Sequence, residues 1–228
     1  MRLSELFDGQ NIQTDIEIAG LTADSRNVEP GYVFAALSGV ARDGRDFVPQ
    51  ALEKGAVAVL SAAPVDTGNA VLILDNEPRQ ALAKAAARFY PQQPEHIVAV
   101  TGTNGKSSTV DFLRQIWTTL GLCGASMGTL GAIGPDGSID LGHTTPDPVA
   151  IHKTLSSLVD SKVSHVAMEA SSHGLVQYRL DGVKLSAVAF TNLTQDHLDY
   201  HASFDDYRAA KLRLFMELAP KGAAAIVS

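Results

Sequence analysis

The sequence predicts an α/β protein with two domains, a small α/β domain followed by a doubly wound domain whose sheet is mainly parallel. Short apolar segments typical of strands alternate with helical segments along most of the 228 residues, and such alternation implies right-handed crossovers between parallel strands. A polar stretch between Pro91 and Pro94 interrupts the pattern, because proline cannot continue a helix. We therefore expect a first domain at residues 1–92 and a second at residues 93–228.

The first domain opens with a β-like stretch at residues 16–36 rather than with a helical domain. Pro30 and Gly31 mark a turn in it, and the residues that follow, Tyr32 to Phe34, suit a strand. The remaining predicted elements are a short helix at 46–54, buried strands at 56–60 and 71–74, and an alanine-rich helix at 79–90.

The second domain continues the alternation of strand and helix. Its predicted strands lie at 96–100, 121–127, 163–168 and 185–190, and its helices at 106–120, 148–159 and 204–218. The glycine-rich residues 129–143 are typical of a loop. Residues 223–227 look like a buried strand with nothing behind it, which indicates that the sequence stops inside this domain and leaves it incomplete at its carboxyl end.

Composition excludes several classes of protein. With 45% hydrophobic and 19% charged residues the chain can bury ordinary cores, and it resembles neither a disordered nor a fibrous protein. A net charge of -7 argues against a nucleic-acid-binding surface. The single cysteine, Cys123, forms no internal disulfide, the opening residues lack a leader, and no apolar run approaches the ~20 residues of a membrane span. We expect a cytoplasmic protein without a membrane or nucleic-acid partner.

The sharpest local signal is TGTNGKSS at residues 101–108, the phosphate loop, which follows a predicted strand and opens a predicted helix. Two glycines let the backbone present N–H groups to phosphate, Lys106 supplies a cation, and the Ser107 hydroxyl suits Mg²⁺. The position six before Lys106 is Val100, so only the shorter TGTNGK[ST] variant is matched. A glycine-rich turn capping an ordinary helix is the alternative. The predicted ATP-binding residues are Gly102, Thr103, Asn104, Gly105, Lys106, Ser107 and Ser108.

Two polar clusters follow successive predicted strands. EASSHGL at 169–175 begins with Glu169, which could hold Mg²⁺, and TNLTQDHLDYH at 191–201 contributes further carboxylates and histidines. A single histidine is more often a surface or capping residue. Because the carboxyl ends of parallel strands form one edge of a sheet, two such clusters favour a site there.

With these clusters in place, the chain resembles the Mur ligase family, and within it the MurE type. The motifs that carry the resemblance occur in family order and cover nearly all of the chain: ADSR at 23–26, DG at 43–44, TGTNGKSS at 101–108, TTPDP at 144–148, EASSHGLVQYR at 169–179, TNLTQDHLDYH at 191–201 and YRAAKLRLF at 207–215. The resemblance implies that ATP phosphorylates the side-chain carboxylate of D-Glu in UDP-MurNAc-L-Ala-D-Glu. The amine of an incoming amino acid then attacks the acyl phosphate.

The resemblance also implies roles for catalytic and metal-binding residues. Lys106 and Ser107 would take the nucleotide phosphates and a first Mg²⁺, and Glu169 and His197 would lie at the metal sites. Lys211 would be carbamylated and help to hold a second Mg²⁺, whereas spacing alone favours an exposed lysine on an amphipathic helix. Carbamylation requires the neutral amine, so burial or cationic neighbours would favour it. The catalytic set is thus Lys106, Lys211 and His197.

For the UDP-linked substrate, the resemblance points to residues in both domains. They are Ser25, Val40, Ala41, Arg42, His143, Thr144, Thr145, Ser171, Gln177 and Arg179. The planar guanidinium of Arg179 can bind two oxygens of a carboxylate or pyrophosphate. His143 stands where relatives usually have Asn, and Tyr178 stands where His is common. These two departures make the contacts to the muramyl group less well defined by the resemblance. Taken singly, Ser25, Thr144 and Thr145 could equally serve turns or caps.

Several alternatives stay open. The incoming amino acid could be meso-diaminopimelate, which we favour, or L-lysine, because the determinants lie in a third, carboxyl-terminal domain of such ligases. This chain ends before that domain, so the resemblance implies that it cannot complete ligation alone. A folylpolyglutamate synthetase-like ligase is another alternative. Such a ligase lacks the amino-terminal UDP-binding domain with its DSR motif, so residues 1–92 argue against it. A non-catalytic module that binds a nucleotide or UDP-sugar is the remaining alternative. We expect a monomer.

Overall fold

The computed structural model describes residues 1–10, 12, 14–39, 42–194 and 200–228. The chain forms two compact units, Met1–Tyr90 and Pro91–Ser228. Each unit contains its own sheet.

The first unit is a four-stranded parallel sheet in the order β1-β2-β3-β4 with short helices. Its elements are α1 (Leu3–Leu6), β1 (Gly20–Thr22), β2 (Tyr32–Ala35), α2 (Val48–Glu53), β3 (Ala58–Ser61), β4 (Val71–Leu74) and α3 (Pro78–Phe89), with 3₁₀ turns at Ser25–Asn27 and Gly44–Phe47. Phe34 and Val59 from the sheet pack with Val48 and Ala51 of α2 in a buried core. The short helix α1 was not predicted, because a single turn carries too little periodicity to be recognised.

The second unit is a seven-stranded sheet in the order β11-β10-β5-β9-β6-β7-β8. Its elements are β5 (His96–Thr101), α4 (Lys106–Thr119), β6 (Gly124–Gly128), β7 (Gly131–Gly134), β8 (Gly137–Ile139), α5 (Pro148–Asp160), β9 (His165–Glu169), α6 (Ser172–Val176), β10 (Ala187–Phe190), α7 (Phe204–Arg213), a π-helical turn (Leu214–Leu218) and β11 (Ala224–Val227). The strands from β11 to β6 are parallel, and β7 and β8 are antiparallel. The α/β class and the mainly parallel sheet are confirmed.

Helices cover both faces of this sheet. Val110 of α4 packs with Val100 and Ala167 on one face. On the other face, Ile151 and Leu155 of α5 join the large core. Adjacent residues of a strand therefore enter different cores, which explains why the parallel strands form nearly continuous apolar runs in the sequence.

The glycine-rich residues 129–143 were predicted to be a loop, and this prediction is wrong for part of the segment. They contain the antiparallel hairpin of β7 and β8, which continues the sheet from β6. The backbone φ angles of Gly131 and Gly137 are 86° and 114°, values that glycine adopts without strain. The glycines here turn the chain between strands that pair closely, so a signal typical of loops belongs to a hairpin.

The strand at 223–227 was predicted correctly, but its burial was not. Residues Ala224–Val227 form β11, and all of them are exposed because they pair with β10 on one side only. Several boundaries also differ from the prediction. The strands β3, β6, β9 and β10 begin two or three residues later than predicted, and α7 changes to π-helical geometry at Leu214. The short helix α6, which begins within the polar cluster at 169–175, was not predicted.

Within the described ranges of the chain, none of the helices combines the length and the apolar character that crossing a bilayer requires.

Candidate nucleotide-binding and ligand site

The carboxyl ends of four strands in the second unit meet at one edge of the sheet. Register pairs Thr101 at the end of β5 with Phe190 of β10, and Val100 with Glu169 of β9. Strand β6 ends beside them, because its Met127 pairs with Met168 of β9. In open parallel sheets this edge is where ligands bind.

The phosphate loop turns sharply between β5 and α4. Gly102 and Gly105 have φ angles of 140° and 84°, a region that side chains rarely adopt. A Cβ on Gly102 would also collide with the hydroxyl oxygen of Thr191. Both the backbone angle and the close approach of the neighbouring segment therefore require glycine at position 102.

Asn192, just after β10, forms hydrogen bonds with the backbone of the phosphate loop. The Asn104 N–H donates to Asn192 Oδ1 at 3.0 Å, and Asn192 Nδ2 donates to the Asn104 carbonyl at 3.1 Å. The Thr103 N–H donates to the Asn192 carbonyl at 2.9 Å. The amide groups that follow, from Gly105 onward, open helix α4, whose first turn presents donors and a positive dipole end suited to an anion.

Lys106 bends back over the loop that precedes it. Its ammonium group donates to the carbonyl oxygens of Gly102 at 3.0 Å and of Thr103 at 2.8 Å. Ser107 is half-buried beside it, whereas Ser108 is exposed. The cation is thus positioned at the mouth of the loop, where the outer phosphates of a nucleotide would lie.

A cavity of about 510 Å³ joins the phosphate loop to most of the predicted substrate residues of this unit. Its lining consists of Thr103, Asn104, Gly105, Lys106, Ser107, Thr129, His143, Thr144, Thr145, Glu169, Ser171, His173 and Arg179. The predicted nucleotide and muramyl groups of the second unit therefore share one cleft.

Glu169 is the acidic residue in this lining and is 2% exposed. Its Oε1 accepts from the Thr129 N–H at 2.8 Å, and its Oε2 lies 3.4 Å from the Thr129 hydroxyl. That hydroxyl is 3.0 Å from the Thr144 hydroxyl. A Cβ on Gly128 would collide with the carboxylate, so glycine makes room for it.

Magnesium prefers oxygen ligands and usually binds one or two protein oxygens together with phosphate. The Glu169 carboxylate and the Ser107 hydroxyl supply such oxygens in one cavity, so the donor set fits this ion. No group of three or more His, Cys, Asp or Glu side chains suited to a metal occurs in the described residues. His197, predicted to be catalytic and a metal ligand, lies outside the described residues.

Lys211 is buried, with 1% of its surface exposed. Its Nζ donates to the Gly102 carbonyl at 2.7 Å and lies 4.5 Å from the ring centre of Tyr207. The Tyr207 hydroxyl lies 3.0 Å from that of Thr103. The interpretation of Lys211 as an exposed surface lysine is therefore wrong, because α7 packs this face against the phosphate loop.

The substrate residues of the second unit are linked by hydrogen bonds. The Thr145 hydroxyl donates to the Glu169 carbonyl and accepts from the Ser171 N–H, both at 3.0 Å. Arg179 donates from Nη1 to the Thr145 carbonyl and from Nε and Nη2 to Gln177. Ser171 also caps α6, because its hydroxyl accepts from the N–H of Gly174.

Two of the predicted substrate residues of the first unit, Ser25 and Arg42, lie within the described residues. The buried Ser25 donates its hydroxyl to Gln50 Oε1 at 2.7 Å, and the carbonyl of the exposed Arg42 accepts from the Gly39 N–H at 2.9 Å. Val40 and Ala41 lie outside the described residues. The structure brings the second unit's residues together, and it describes Ser25 and Arg42 within their own unit.

The two Asp-x-Arg sequences of the first unit have the same local structure. Asp24 and Asp43 each cap a 3₁₀ turn and bind the arginine two residues later through both carboxylate oxygens. Hydrogen bonding by Arg26 lowers the pKa of Asp24, and that by Arg45 lowers the pKa of Asp43 to about 2. The DSR and DG motifs thus fix the turns that precede and follow β2.

Sequence reasoning missed several residues that shape this site. Asn192 and Tyr207 support the phosphate loop, Thr129 holds Glu169, and His173 lines the cavity. Their position in the sequence could have indicated them, because Thr129 and Asn192 come just after the strands β6 and β10. Glu169, which was predicted, lies at the end of β9 in the same way.

Two family models match the chain. The model described as Mur ligase middle domain matches residues 100–228, and the model described as Mur ligase family, catalytic domain, matches residues 17–90.

Curated relatives agree with these matches. The UDP-N-acetylmuramoyl-L-alanyl-D-glutamate--2,6-diaminopimelate ligase of Brucella melitensis biotype 1 is 53% identical over 216 residues, covering 93% of this chain and 44% of that protein. The protein of the same name from Caulobacter vibrioides is 52% identical over 234 residues, covering 100% of this chain and 48% of that protein. The chain therefore spans less than half the length of these relatives.

Solved structures give the same fold. A structure of UDP-N-acetylmuramoyl-L-alanyl-D-glutamate--2,6-diaminopimelate ligase superposes with a TM-score of 0.82 at 29% identity, covering 100% of this chain and 47% of the other. The MurF ligase of Thermotoga maritima, solved in complex with ADP, gives a TM-score of 0.63 at 19% identity, covering 91% and 45%, which is a likeness of fold alone. The larger family match spans more than half of the chain, and the chain belongs to the Mur ligase family.

Proposed function

We propose that the full-length protein is an ATP-dependent ligase that joins diaminopimelate to UDP-MurNAc-L-Ala-D-Glu during peptidoglycan synthesis. The observation that carries the proposal is the shared cavity, in which the phosphate loop, Glu169 and Arg179 face one another. The choice of substrates is supported by the identity of about half of the residues with relatives named UDP-N-acetylmuramoyl-L-alanyl-D-glutamate--2,6-diaminopimelate ligase.

The nucleotide end of the cavity is suited to phosphoryl transfer. The first turn of α4 and Lys106 would hold the β and γ phosphates of ATP, with Ser107 and Glu169 as the described candidates for binding Mg²⁺. The bound ion would supply neutralisation of charge on the phosphates. We assign His197 and a carbamylated Lys211 to the remaining metal positions.

The opposite wall would hold the acceptor. Arg179, Thr144 and Thr145 would orient the D-Glu side-chain carboxylate, with His143, Ser171 and Gln177 around the muramyl peptide and Ser25 with residues 40–42 on the UDP group. A carboxylate oxygen attacks the γ-phosphorus, the bond to ADP breaks, and an acyl phosphate forms. The amine nitrogen then attacks the acyl carbon, inorganic phosphate leaves, and the amine loses a proton to give the amide.

The whole protein's activity is assigned to a longer chain than this one. The described cavity contains groups for ATP and for an acceptor, and we assign selection of the amino acid to the part beyond residue 228. We propose meso-diaminopimelate rather than L-lysine, a monomeric protein and a cytoplasmic location. The 228-residue chain alone is expected not to complete ligation.

The deciding experiment is an assay of the full-length protein for phosphate release with UDP-MurNAc-L-Ala-D-Glu, ATP and Mg²⁺. Phosphate release that requires meso-diaminopimelate supports the proposal, and release driven by L-lysine would redirect it to the lysine-adding type. Folate with glutamate tests the folylpolyglutamate synthetase alternative. Binding of UDP-MurNAc-L-Ala-D-Glu without turnover under any of these conditions would favour the non-catalytic module.

A further inference from the structure

Tyr200 stands behind the cavity wall that carries Arg179. Its hydroxyl lies 3.1 Å from Gln177 Nε2, and Gln177 Oε1 lies 2.8 Å from Nη2 and 3.2 Å from Nε of Arg179. Arg179 and His173 line the cavity. Tyr200 is not among the described lining residues and thus reaches the cavity through these side chains.

The chemistry of the groups fixes the direction of this chain of hydrogen bonds. A guanidinium group has only donors, so the atom of Gln177 that faces Arg179 must be the amide oxygen. The amide nitrogen must then face Tyr200, and the tyrosine oxygen must accept. Gln177 therefore cannot flip without losing its hydrogen bonds to Arg179.

The Tyr200 ring makes a second contact that is independent of its hydroxyl. It stacks on the ring of His173 with centroids 3.8 Å apart and planes inclined by 36°. One tyrosine therefore supports two side chains of the cavity wall, Arg179 by hydrogen bonds and His173 by packing. Replacement by phenylalanine would remove the first support and keep the second.

We propose that Tyr200 is a positioning residue that, through Gln177, holds the Arg179 guanidinium for an oxyanion of the UDP-muramyl peptide. The identity of that anion rests on the proposed function, whereas the positioning itself rests on the hydrogen bonds. With Nε and Nη2 held by Gln177 and Nη1 held by Thr145, the plane of the guanidinium is fixed before a ligand arrives. Such preorganisation lowers the cost of binding.

The test compares Tyr200→Phe, Gln177→Met and the double variant in the full-length protein. Loss of one neutral hydrogen bond corresponds to about 2- to 10-fold in an equilibrium constant. We expect Tyr200→Phe to raise the KM for UDP-MurNAc-L-Ala-D-Glu by about that factor, with the KM for ATP unchanged. In the Gln177→Met background the same substitution should have no further effect, because its route to Arg179 is already cut.

Tyr32→Phe is the matched control, because it also removes a tyrosine hydroxyl that is bonded to one side chain, that of Glu29. Three results would overturn the proposal: an unchanged KM for the UDP-linked substrate in Tyr200→Phe, an equal rise in the KM for ATP, or additive effects in the double variant. The second result would indicate a merely structural role.

A second readout needs no turnover. The Nε–H NMR resonance of Arg179, assigned by its loss in Arg179→Lys, reports directly on the bond to Gln177. We expect Tyr200→Phe to shift this resonance and to speed its exchange with water, and an unmoved resonance would refute the positioning role. Absence of turnover by the wild-type protein would count against the proposed function alone.

Discussion

The side-chain nitrogen of Lys211 donates a 2.7 Å hydrogen bond to the carbonyl oxygen of Gly102. This bond joins the last turn of α7 to the first glycine of the phosphate loop in a buried environment. A lysine in this position is close enough to the phosphate loop to take part in nucleotide chemistry.

Lys211→Ala in the full-length protein should lower kcat by about 100-fold or more. If a carbamate is required, short-chain carboxylates added to Lys211→Ala should restore part of the activity. Lys211→Arg, which keeps the cation but cannot form a carbamate, should stay inactive. Lys153→Ala, on the exposed side of α5, is the control. Activity in Lys211→Arg, or no rescue at any carboxylate concentration, would contradict the carbamate.

Lys106→Ala should abolish ATP-dependent phosphate release, because the cation that faces the outer phosphates is lost. Phosphate release and ATP affinity in the full-length protein are the measurements. Lys162→Ala, which removes a lysine from the turn after α5, should behave as the wild type. Unchanged turnover in Lys106→Ala would remove the phosphate loop from the mechanism.

Asp181→Asn should destabilise the protein. Arg213 and Asp181 form an ion pair at 2.8 Å whose side chains are 10% and 5% exposed. Arg213 keeps a second pair with Glu217 at 2.8 Å, so the expected loss is that of a charged hydrogen bond, about 1.5–3 kcal/mol. Thermal denaturation measures the effect. The control is Asp205→Asn, which breaks an exposed pair with Arg208 on the same helix and should change the melting temperature little. Equal effects of the two substitutions would show that burial of the first pair is unimportant.

Stability should fall between pH 7.5 and pH 5.5, partly through His152. Burial lowers the pKa of this histidine below its usual value of 6.5. Its Nε2 donates to the Asp181 carbonyl, and its Nδ1 has no hydrogen-bond partner within the described part of the chain. Near and below pH 6.5, His152 binds a proton in the unfolded chain while it stays neutral in the folded protein. The free energy of unfolding therefore decreases as the pH falls.

His152→Gln removes the titrating group and keeps a donor for the Asp181 carbonyl. The drop in melting temperature between pH 7.5 and pH 5.5 should therefore be smaller in this variant than in the wild type. His165 also has a lowered pKa, caused first by burial and then by His96, so some pH dependence will persist. An identical pH dependence in both proteins would rule out His152 as a contributor.

The sequence predicted most of the sheet and much of the cavity, for a physical reason. Buried parallel strands form apolar runs, and polar residues directly after them must collect at one edge, so the order of residues alone places Glu169 beside the phosphate loop. The burial of Lys211 could not be foreseen, because it depends on how α7 packs. The hairpin at Gly131 and Gly137 was missed because glycine is typical of loops and of tight hairpins alike.

The support of Asn104 by Asn192 also concerns the folding of the domain. The two residues are 88 positions apart in the chain, so the phosphate loop cannot acquire its shape from local sequence. It must wait until β10 has paired with β5, a non-local step of the kind that slows folding. A nucleotide that needs this shape will bind the assembled domain and not the unfolded chain, and ATP should therefore act as a stabiliser of the folded state.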